Sequence, residues 1–314
     1  MSFMFDFDLS DEDRDNETSQ NVVVNGEVTP TKLRTTHVQP LPAAEITEFY
    51  SDMIISKFEQ KTLLFGDICL QVIDTSTLEE RLLEDREISC VLKGSDNLSE
   101  AVNSHSDLVA GVYEGGLKIW ECSMDLAEFL SSHPIGTAVD LKGKSVLELG
   151  CGAGLPGLYC YKRGANQVDF QDYNEEVLKL ITHANVISNQ MEPNVSSSLF
   201  RYFAGDWSSF SILAKEKNLK YDVILTAETI YNADNYCKLH DVFKAVLTDD
   251  GKIFLAAKTY YFGVGGSVDA FIEYVRKENC FSIDIVHTYS KGVQRKILQL
   301  HRLVDHPSQV TKTE

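Results

Sequence analysis

The sequence predicts an α/β protein with a Rossmann-like, doubly wound sheet of seven strands, an antiparallel hairpin at its end and an N-terminal extension. One observation is that, after a glycine-rich turn at 150–154, apolar runs of strand length alternate with segments of helical periodicity. A second is that the last two apolar runs, 281–286 and 297–303, have no helix-length segment between them. The alternation favours a parallel sheet wrapped by helices, whereas strands joined without a crossover helix pair antiparallel.

The core elements follow from the spacing of the apolar positions. A strand from Ser145 runs into the glycine turn, which opens a helix at 155–163. Further strands are predicted at 168–171, 200–204, 221–227 and 253–258. Further helices are predicted at 121–130, 175–188, 236–247 and 268–277.

The residues before this core divide into a tail and an extension. Residues 1–20 hold seven acids against the single base Arg14, which predicts a disordered acidic tail over 1–42. A solvated terminus is favoured over an acidic-aromatic segment that touches a basic partner. The extension at 43–110 is expected to contain a helix at 43–58, a strand at 63–72 and an acidic helix at 77–85, and it either packs over the ligand site or caps the sheet. The main domain is placed at 111–305, before a flexible C-terminus at 306–314.

Charge and composition narrow the class of partner. The chain has 314 residues, 43% of them hydrophobic, and a formal net charge of -18. Nucleic acid is disfavoured as a direct partner, because phosphate neutralisation needs clustered lysine and arginine. A basic protein surface suits the charge better, and we expect a monomer that binds one.

Cysteine usage and the N-terminus indicate the compartment. Seven cysteines show no CxxC pair, which favours free thiols in a reducing compartment and no structural zinc. Cys151, inside the glycine turn, is interpreted as a small loop filler rather than a nucleophile. The acidic N-terminus does not resemble a signal peptide, and no run of about 18 apolar residues occurs, so no membrane association is expected. The sequence predicts a cytosolic or nuclear protein.

Three glycines on alternate positions, Gly150, Gly152 and Gly154, follow the first core strand. Such a turn lets the backbone approach a ligand, and dinucleotide sites, methyl-donor sites and plain tight turns all use it. Glu148 favours the methyl donor S-adenosylmethionine, because an acid would crowd a pyrophosphate but suits a sulfonium and an ammonium. Asp172, eighteen residues after Gly154, lies where a ribose-binding acid is expected.

Aromatic and acidic residues after later elements extend the predicted donor site. Asp206 and Trp207 follow the strand at 200–204 and either bind the adenine or form a helix N-cap and a core tryptophan, two interpretations that we hold equal. Trp120 precedes the helix at 121–130 and is either a core residue or a flat wall against the cofactor. Its residue type alone favours core packing.

The acceptor side is placed after the strand at 221–227. Glu228, Tyr231 and Asn232 there provide a carboxylate, a phenol and an amide near the expected methyl position, and they are the candidate catalytic residues. In the alternative interpretation Glu228 caps the next helix and Tyr231 packs beneath it. A glycine-hinged aromatic loop at 260–266 is predicted to close over a flat acceptor ring.

Five blocks of the sequence resemble those of the histidine protein methyltransferase family, part of the methyltransferase-like group of protein-modifying enzymes. They are GGLKIWEC (115–122), ELGCGAGLPG (148–157), QDYN (171–174), ETIYN (228–232) and YFGVGG (261–266), and the match covers roughly 104–303. The resemblance implies S-adenosylmethionine-dependent methylation of the tele nitrogen of a histidine in a large-subunit ribosomal protein. It also implies a location in the cytoplasm and nucleus, including the nucleolus.

Carried over residue by residue, the resemblance implies donor contacts from Trp120, the segment 152–154, Asp172, Trp207 and Ala227. No metal is expected. A histidine enzyme must select one tautomer of the acceptor ring, and Glu228 is the candidate that accepts a hydrogen bond from the other ring N–H. The competing interpretations are a protein-lysine methyltransferase, a dinucleotide oxidoreductase and a binding module without catalysis.

Overall fold

The computed structural model describes residues 40–50, 56–78, 81–82, 108–109, 111–132, 140–190 and 199–303. Its strands are β1 (Ala44–Ile46), β2 (Gln60–Phe65), β3 (Ile68–Ile73), β4 (Ser145–Leu149), β5 (Gln167–Asp172), β6 (Phe200–Ala204), β7 (Tyr221–Ala227), β8 (Leu247–Lys258), β9 (Phe281–Tyr289) and β10 (Arg295–Arg302). One sheet has the order β1-β6-β5-β4-β7-β8-β10-β9, and β2 pairs with β3 in a separate hairpin.

The predicted sheet is confirmed. Strands β4 to β8 pair in parallel. Strand β10 lies antiparallel between β8 and β9, as expected from the missing crossover helix. Strand β1 of the extension adds an eighth strand, antiparallel to β6. The carboxyl ends of β4, β5, β6 and β7 therefore meet along one edge of the sheet.

Helices cover both faces of this sheet. They are α1 (Glu121–Ser132), α2 (Leu155–Lys162), α3 (Glu175–Val177), α4 (His183–Asn189), α5 (Trp207–Glu216), α6 (Tyr236–Val246) and α7 (Val268–Glu278). Side chains of α1, α2 and α4 share one apolar core with the β2–β3 hairpin. Side chains of α5, α6 and α7 form the other. Successive residues of β4 serve opposite cores, Val146 the first and Leu147 the second, because strand side chains alternate between faces.

The helix predicted at 175–188 is divided by a π-helical turn, Leu178–Thr182, between α3 and α4. Thr182 Oγ1 donates to the carbonyl of Gly152 at 2.7 Å, and Asn185 Nδ2 donates to the carbonyl of Ala153 at 2.9 Å. A π-turn inserts one residue into a helix and redirects the side chains on either side of it. These two side chains therefore fix the position of the glycine turn by hydrogen bonding to its carbonyl groups.

The extension differs from its prediction. Residues 44–46 form β1 rather than a helix, because their backbone pairs with the open edge of β6. The single strand predicted at 63–72 is the β2–β3 hairpin, which turns at Gly66 with a φ of +60°. Of the helix predicted at 77–85, Leu78, Arg81 and Leu82 are helical, and the remaining residues after Leu78 lie outside the described ones.

Several predictions concern residues that the structure does not describe. The acidic tail lies almost wholly outside the described residues, as does the C-terminal segment at 306–314. Six of the seven cysteines are described, and each is a free thiol. No helix in the described part of the chain combines the length and apolar character needed to cross a membrane.

Candidate methyl-donor and acceptor site

A cavity of about 390 Å³ opens at the carboxyl edge of the parallel strands. All of the predicted site residues except Gly154 line it: Trp120, Glu148, Gly150, Gly152, Asp172, Asp206, Trp207, Ala227, Glu228, Tyr231 and Asn232. Side chains that the sequence analysis did not single out also line it, among them Glu114, Lys118, Tyr173 and Lys238. The fold thus brings segments that are distant in sequence into one enclosure.

Asp172, the last residue of β5, is held at the cavity wall by the glycine turn. Its Oδ2 accepts from the N–H of Gly152 at 2.9 Å, and its Oδ1 accepts from the N–H of Asn174 at 3.2 Å. Burial raises the pKa of Asp172 to about 6. Gly152 has a φ of +48°, and a Cβ there would lie 3.2 Å from the carbonyl oxygen of Gly116. The turn is therefore a cradle without room for a side chain.

Gly154 has a packing role and is not among the residues that line the cavity. It caps α2 at a φ of +71°, and a Cβ there would lie 2.9 Å from the Phe170 ring. The prediction that Gly154 binds the cofactor stays a prediction. A glycine is needed here because α2 packs closely on β5.

Glu148 lies between the cavity and the first turn of α2. Its Oε2 accepts a hydrogen bond from the N–H of Gly157 at 2.8 Å. This N–H lies in the first turn of α2 and has no partner within the helix. Burial raises the pKa of Glu148 well above its usual value. The residue borders the cavity as predicted, and it also fixes the position of α2 on β4.

Asp206 forms the predicted helix N-cap, and both Asp206 and Trp207 line the cavity. Asp206 is the N-cap of α5, accepting from the N–H of Ser208 at 2.8 Å, and its other oxygen lies 2.8 Å from Lys238 Nζ. The indole N–H of Trp207 donates to Gln171 Oε1 at 2.8 Å, which orients the half-buried ring along the cavity. Both residues thus serve the structure and the cavity wall together.

The last described residues of the predicted tail contribute to the same wall. Pro40 lines the cavity, and the carbonyl of Leu41 accepts from the N–H of Asp206 at 3.1 Å. The extension itself caps the sheet through β1 and borders the cavity through Leu108.

Trp120 is half-buried in the loop that faces the glycine turn. Its indole N–H donates to the carbonyl of Gly115 at 2.9 Å, and Lys258 Nζ lies 5.3 Å from its ring centroid. The residue lines the cavity, so it is a wall residue and not purely a core one.

Glu228 lines the cavity, with its carboxylate directed toward a lysine. It follows β7 at a φ of +58°, a left-handed conformation that is uncommon for a non-glycine residue. Both of its carboxylate oxygens are buried, and Oε1 lies 3.4 Å from Lys258 Nζ. The carboxylate therefore faces a buried ammonium, and it neither caps a helix nor presents its oxygens to the cavity.

Tyr231 and Asn232 line the cavity beyond the end of β7. The hydroxyl of Tyr231 donates to Glu114 Oε2 across the cavity, and Asn232 Oδ1 accepts from the N–H of Asp234 at 3.0 Å. Glu114 was missed because only Trp120 was singled out in its loop. A single acidic residue in a glycine-rich segment does not predict a functional site by itself, and its partner Tyr231 is distant in the sequence.

The aromatic loop at 260–266 is anchored at its base rather than hinged freely. The N–H of Gly266 donates to the carbonyl of Tyr231 at 2.7 Å, and a Cβ at Gly266 would overlap the carbonyl of Ile230. Tyr261 is buried beside Lys258 and does not line the cavity, whereas Phe262 is 79% exposed. The predicted closure over an acceptor ring finds no support in Tyr261.

Acidic residues outnumber basic residues around the cavity. Six carboxylate residues line it against two lysines: Glu114, Glu148, Asp172, Asp206, Glu228 and Asp234, against Lys118 and Lys238. Such a lining suits a ligand with a sulfonium and an ammonium group and disfavours a pyrophosphate. Together with the cradle at Gly152 and the carboxylate of Asp172, these residues fit S-adenosylmethionine.

This strand order and this site define the class of S-adenosylmethionine-dependent methyltransferases. A family model described as lysine methyltransferase matches residues 102–273, more than half of the chain. The chain therefore belongs to this methyltransferase family.

Named relatives agree with this membership. The chain is 38% identical to the histidine protein methyltransferase 1 homolog of Bos taurus, with 74% of the chain and 65% of the relative covered. It is 43% identical to the homolog of that name from Dictyostelium discoideum, with 64% and 62% covered. The chain thus spans less than two thirds of the length of these relatives. A solved S-adenosylmethionine-dependent methyltransferase from Mesorhizobium loti matches at 14% identity with a TM-score of 0.39, over 52% of this chain and 93% of that one.

Proposed function

We propose that this protein transfers a methyl group from S-adenosylmethionine to the tele nitrogen of a histidine in a large-subunit ribosomal protein. The observation that carries the proposal is the single cavity in which Asp172 and Trp207 lie together with Tyr231 and Asn232. Donor-side and acceptor-side groups share one enclosure, as in-line methyl transfer requires. The acid-rich lining and the net charge of -18 favour a basic protein as substrate.

Histidine is preferred over lysine as the acceptor on two grounds. The relatives described above carry the name histidine protein methyltransferase. At pH 7 a histidine with a pKa of about 6.5 is mostly neutral, whereas a lysine must first lose a proton at a cost of roughly 4.6 kcal/mol. Methylation of a histidine therefore requires only that the ring be positioned and one tautomer be selected. The polar groups around the cavity can do both by hydrogen bonding.

When bound, S-adenosylmethionine supplies a methyl carbon bonded to a cationic sulfur. The residues of this chain bind and orient the reactants. Asp172 is placed to accept from ribose hydroxyls, and Trp207 to lie against the adenine. Acceptor-side groups hold the imidazole lone pair about 3–3.5 Å from the methyl carbon, because such proximity supplies most of the rate gain in a displacement.

Protein-lysine methylation is the second candidate, because the matching family model carries that description. Incubation of the purified protein with deuterated methyl donor and salt-extracted large-subunit ribosomal proteins, followed by mass spectrometry with residue localisation, separates the two. Label on a histidine supports the proposal, and fragmentation of the labelled residue distinguishes the tele from the pros isomer. Label on lysine alone contradicts it.

We further propose that the protein acts as a monomer in the cytoplasm and nucleus, without a metal. Residues 111–305 would form the methyltransferase domain and 43–110 an extension that completes its cavity wall. Gel filtration tests the monomeric state, and fractionation of the source cells tests the location. Methyltransferase activity after treatment with a chelator tests the absence of a metal.

A further inference from the structure

Glu114 is a cavity carboxylate that three hydrogen bonds hold in place. Its main-chain N–H donates to Asn174 Oδ1 at 3.1 Å, its Oε1 accepts from the N–H of Gly111 at 2.7 Å, and its Oε2 accepts from the hydroxyl of Tyr231. Asn174 in turn donates its main-chain N–H to Asp172. A continuous network therefore connects the ribose-side acid to the acceptor-side phenol, with Glu114 between them.

Glu228 is unsuited to contact an acceptor ring in this arrangement. Both of its oxygens are buried, and the nearest cation to them is Lys258 Nζ at 3.4 Å. Glu114 and Tyr231, by contrast, line the cavity with half-buried side chains. Of these two carboxylates, that of Glu114 is therefore the more accessible from the cavity.

We propose that Glu114 binds the acceptor imidazole through its pros N–H and thereby selects the tautomer whose tele nitrogen carries the lone pair. This inference rests on the proposed histidine methylation. A carboxylate offers about four lone-pair sites, of which Gly111 and Tyr231 use two, so room remains for a third donor. The other two donors also fix the carboxylate plane, so the ring direction is set before the substrate arrives.

The electrostatic setting of Glu114 supports this role. Burial, aided by the charges of Asp172 and Asp206, raises the pKa of Glu114, while the N–H of Gly111 and the Lys238 ammonium lower it. A carboxylate with a raised pKa is a stronger hydrogen-bond acceptor. It also favours the positive charge that the imidazole gains during transfer.

Methyl transfer to the tele nitrogen exchanges one bond of the methyl carbon for another. The bond between the methyl carbon and the donor sulfur breaks as the bond between that carbon and the tele nitrogen forms, and the sulfur keeps the bonding electron pair. The ring becomes a cation, and its pros proton is shared with the Glu114 carboxylate. That proton then leaves to solvent, which restores the carboxylate and a neutral methylhistidine.

The test compares Glu114→Gln and Tyr231→Phe with Glu59→Gln, a control at an exposed acid outside the cavity. Folding is checked by thermal melting, and donor-site integrity by calorimetry with S-adenosylhomocysteine. Turnover is measured as methylhistidine formed on salt-extracted large-subunit ribosomal proteins at saturating donor. For Glu114→Gln we expect the affinity for S-adenosylhomocysteine to stay within about twofold of wild type. Turnover should fall about 10- to 100-fold, which corresponds to the loss of one hydrogen bond to a charged group.

A second readout does not depend on turnover. The protein saturated with S-adenosylhomocysteine is titrated by NMR with 4-methylimidazole and with 1,5-dimethylimidazole, in which the pros nitrogen is methylated and cannot donate. Wild type and Tyr231→Phe should prefer 4-methylimidazole, and Glu114→Gln should lose this preference. If Glu114 acted only through its hydrogen bond with Tyr231, Glu114→Gln and Tyr231→Phe would both lose the preference for 4-methylimidazole.

The failure of the inference is distinct from failure of the proposed function. Methylhistidine formed by wild type and at an equal rate by Glu114→Gln overturns the role of Glu114 alone. A large loss of S-adenosylhomocysteine affinity in Glu114→Gln overturns it too, by making Glu114 a donor ligand. Methyl-lysine as the sole product of wild type overturns both proposals.

Discussion

The hydroxyl of Tyr231 donates a hydrogen bond to Glu114 Oε2 and so joins two loops that are 117 positions apart in the sequence. One loop faces the glycine turn, and the other follows β7 on the acceptor side. Glu114 is also linked through Asn174 to Asp172. The two loops and the end of β5 are therefore joined by hydrogen bonds that run through Glu114 and Asn174.

Donor binding should depend on the ionisation of Asp172. Its folded-state pKa of about 6 lies above the ordinary value of 3.8, so the unliganded protein loses stability as the pH rises through about 6. An ionised carboxylate accepts better from ribose hydroxyls, so affinity for S-adenosylhomocysteine should rise from pH 5 to 7 with a midpoint near 6. Calorimetry across this range checks the expectation. Asp172→Asn should bind weakly and lack the midpoint, and an unchanged profile in that variant would place the ribose elsewhere.

Trp207 should contribute to donor affinity far more than Tyr261. The Trp207 ring lines the cavity, whereas Tyr261 is buried outside it. Trp207→Ala should weaken S-adenosylhomocysteine binding by roughly 1–3 kcal/mol, the usual range for loss of stacking on a base. Tyr261→Phe is the matched control, with affinity expected to stay at the wild-type value in the same calorimetric titration. Equal losses would show that the loop at 260–266 belongs to the donor site.

The buried pair of Lys258 and Glu228 should be costly to break from one side. Lys258→Met leaves the Glu228 carboxylate buried without its ammonium, and such changes typically destabilise a protein by about 3–5 kcal/mol. Chemical denaturation measures the free energy of unfolding. Adding Glu228→Gln removes the stranded charge, so the double variant should recover much of the loss. A double variant no more stable than Lys258→Met would mean that the two groups are not coupled.

His240 should make the fold sensitive to acid. It is fully buried, and neither ring nitrogen has a hydrogen-bond partner in the described part of the chain. Burial and then the charge of Lys244 lower its pKa, while Glu278 and Asp241 act in the opposite direction. In the unfolded chain His240 is protonated below about pH 6.5, whereas in the folded protein it stays neutral to a lower pH. The free energy of unfolding therefore decreases as the pH falls below about 6.5.

The test is urea unfolding at pH 7.5 and 5.5. His240 should account for up to about 1.4 kcal/mol of the loss between these conditions. His240→Leu should show a smaller decrease than wild type, whereas a variant at the exposed His301, such as His301→Gln, should match wild type. The same decrease in all three proteins would assign the acid sensitivity to other groups.

The pH dependence of turnover should report the acceptor. Imidazolium has no lone pair on the tele nitrogen, so the rate should increase from pH 6 to 8 with a midpoint near the pKa of the substrate histidine. Initial rates at saturating donor over pH 6–10 measure this. A rate that continues to increase toward pH 10 indicates a lysine acceptor instead.

The sheet and the cavity edge were predictable because they depend on local patterns. Apolar runs such as 221–227 report strands buried on both faces, and parallel strands present their carboxyl ends along one edge. Asp172, Trp207 and Tyr231 each follow such a strand, so their presence at one cavity followed from chain order alone. The extra strand β1 was missed, because its pairing depends on an open sheet edge and not on its own periodicity.

Side-chain direction at the site was decided by the tertiary structure. Glu228 and Glu114 are both acids near glycine or aromatic residues, and sequence position favoured Glu228 as the acceptor contact. A φ of +58° and the ammonium of Lys258 place the Glu228 carboxylate in the interior, while contacts from Gly111, Asn174 and Tyr231 hold Glu114 at the cavity. The sequence by itself determined which strands carry polar groups to the site, because that follows from periodicity. Which carboxylate faces the ligand depends on contacts between residues as far as 117 positions apart, and local sequence patterns carry no information about such contacts.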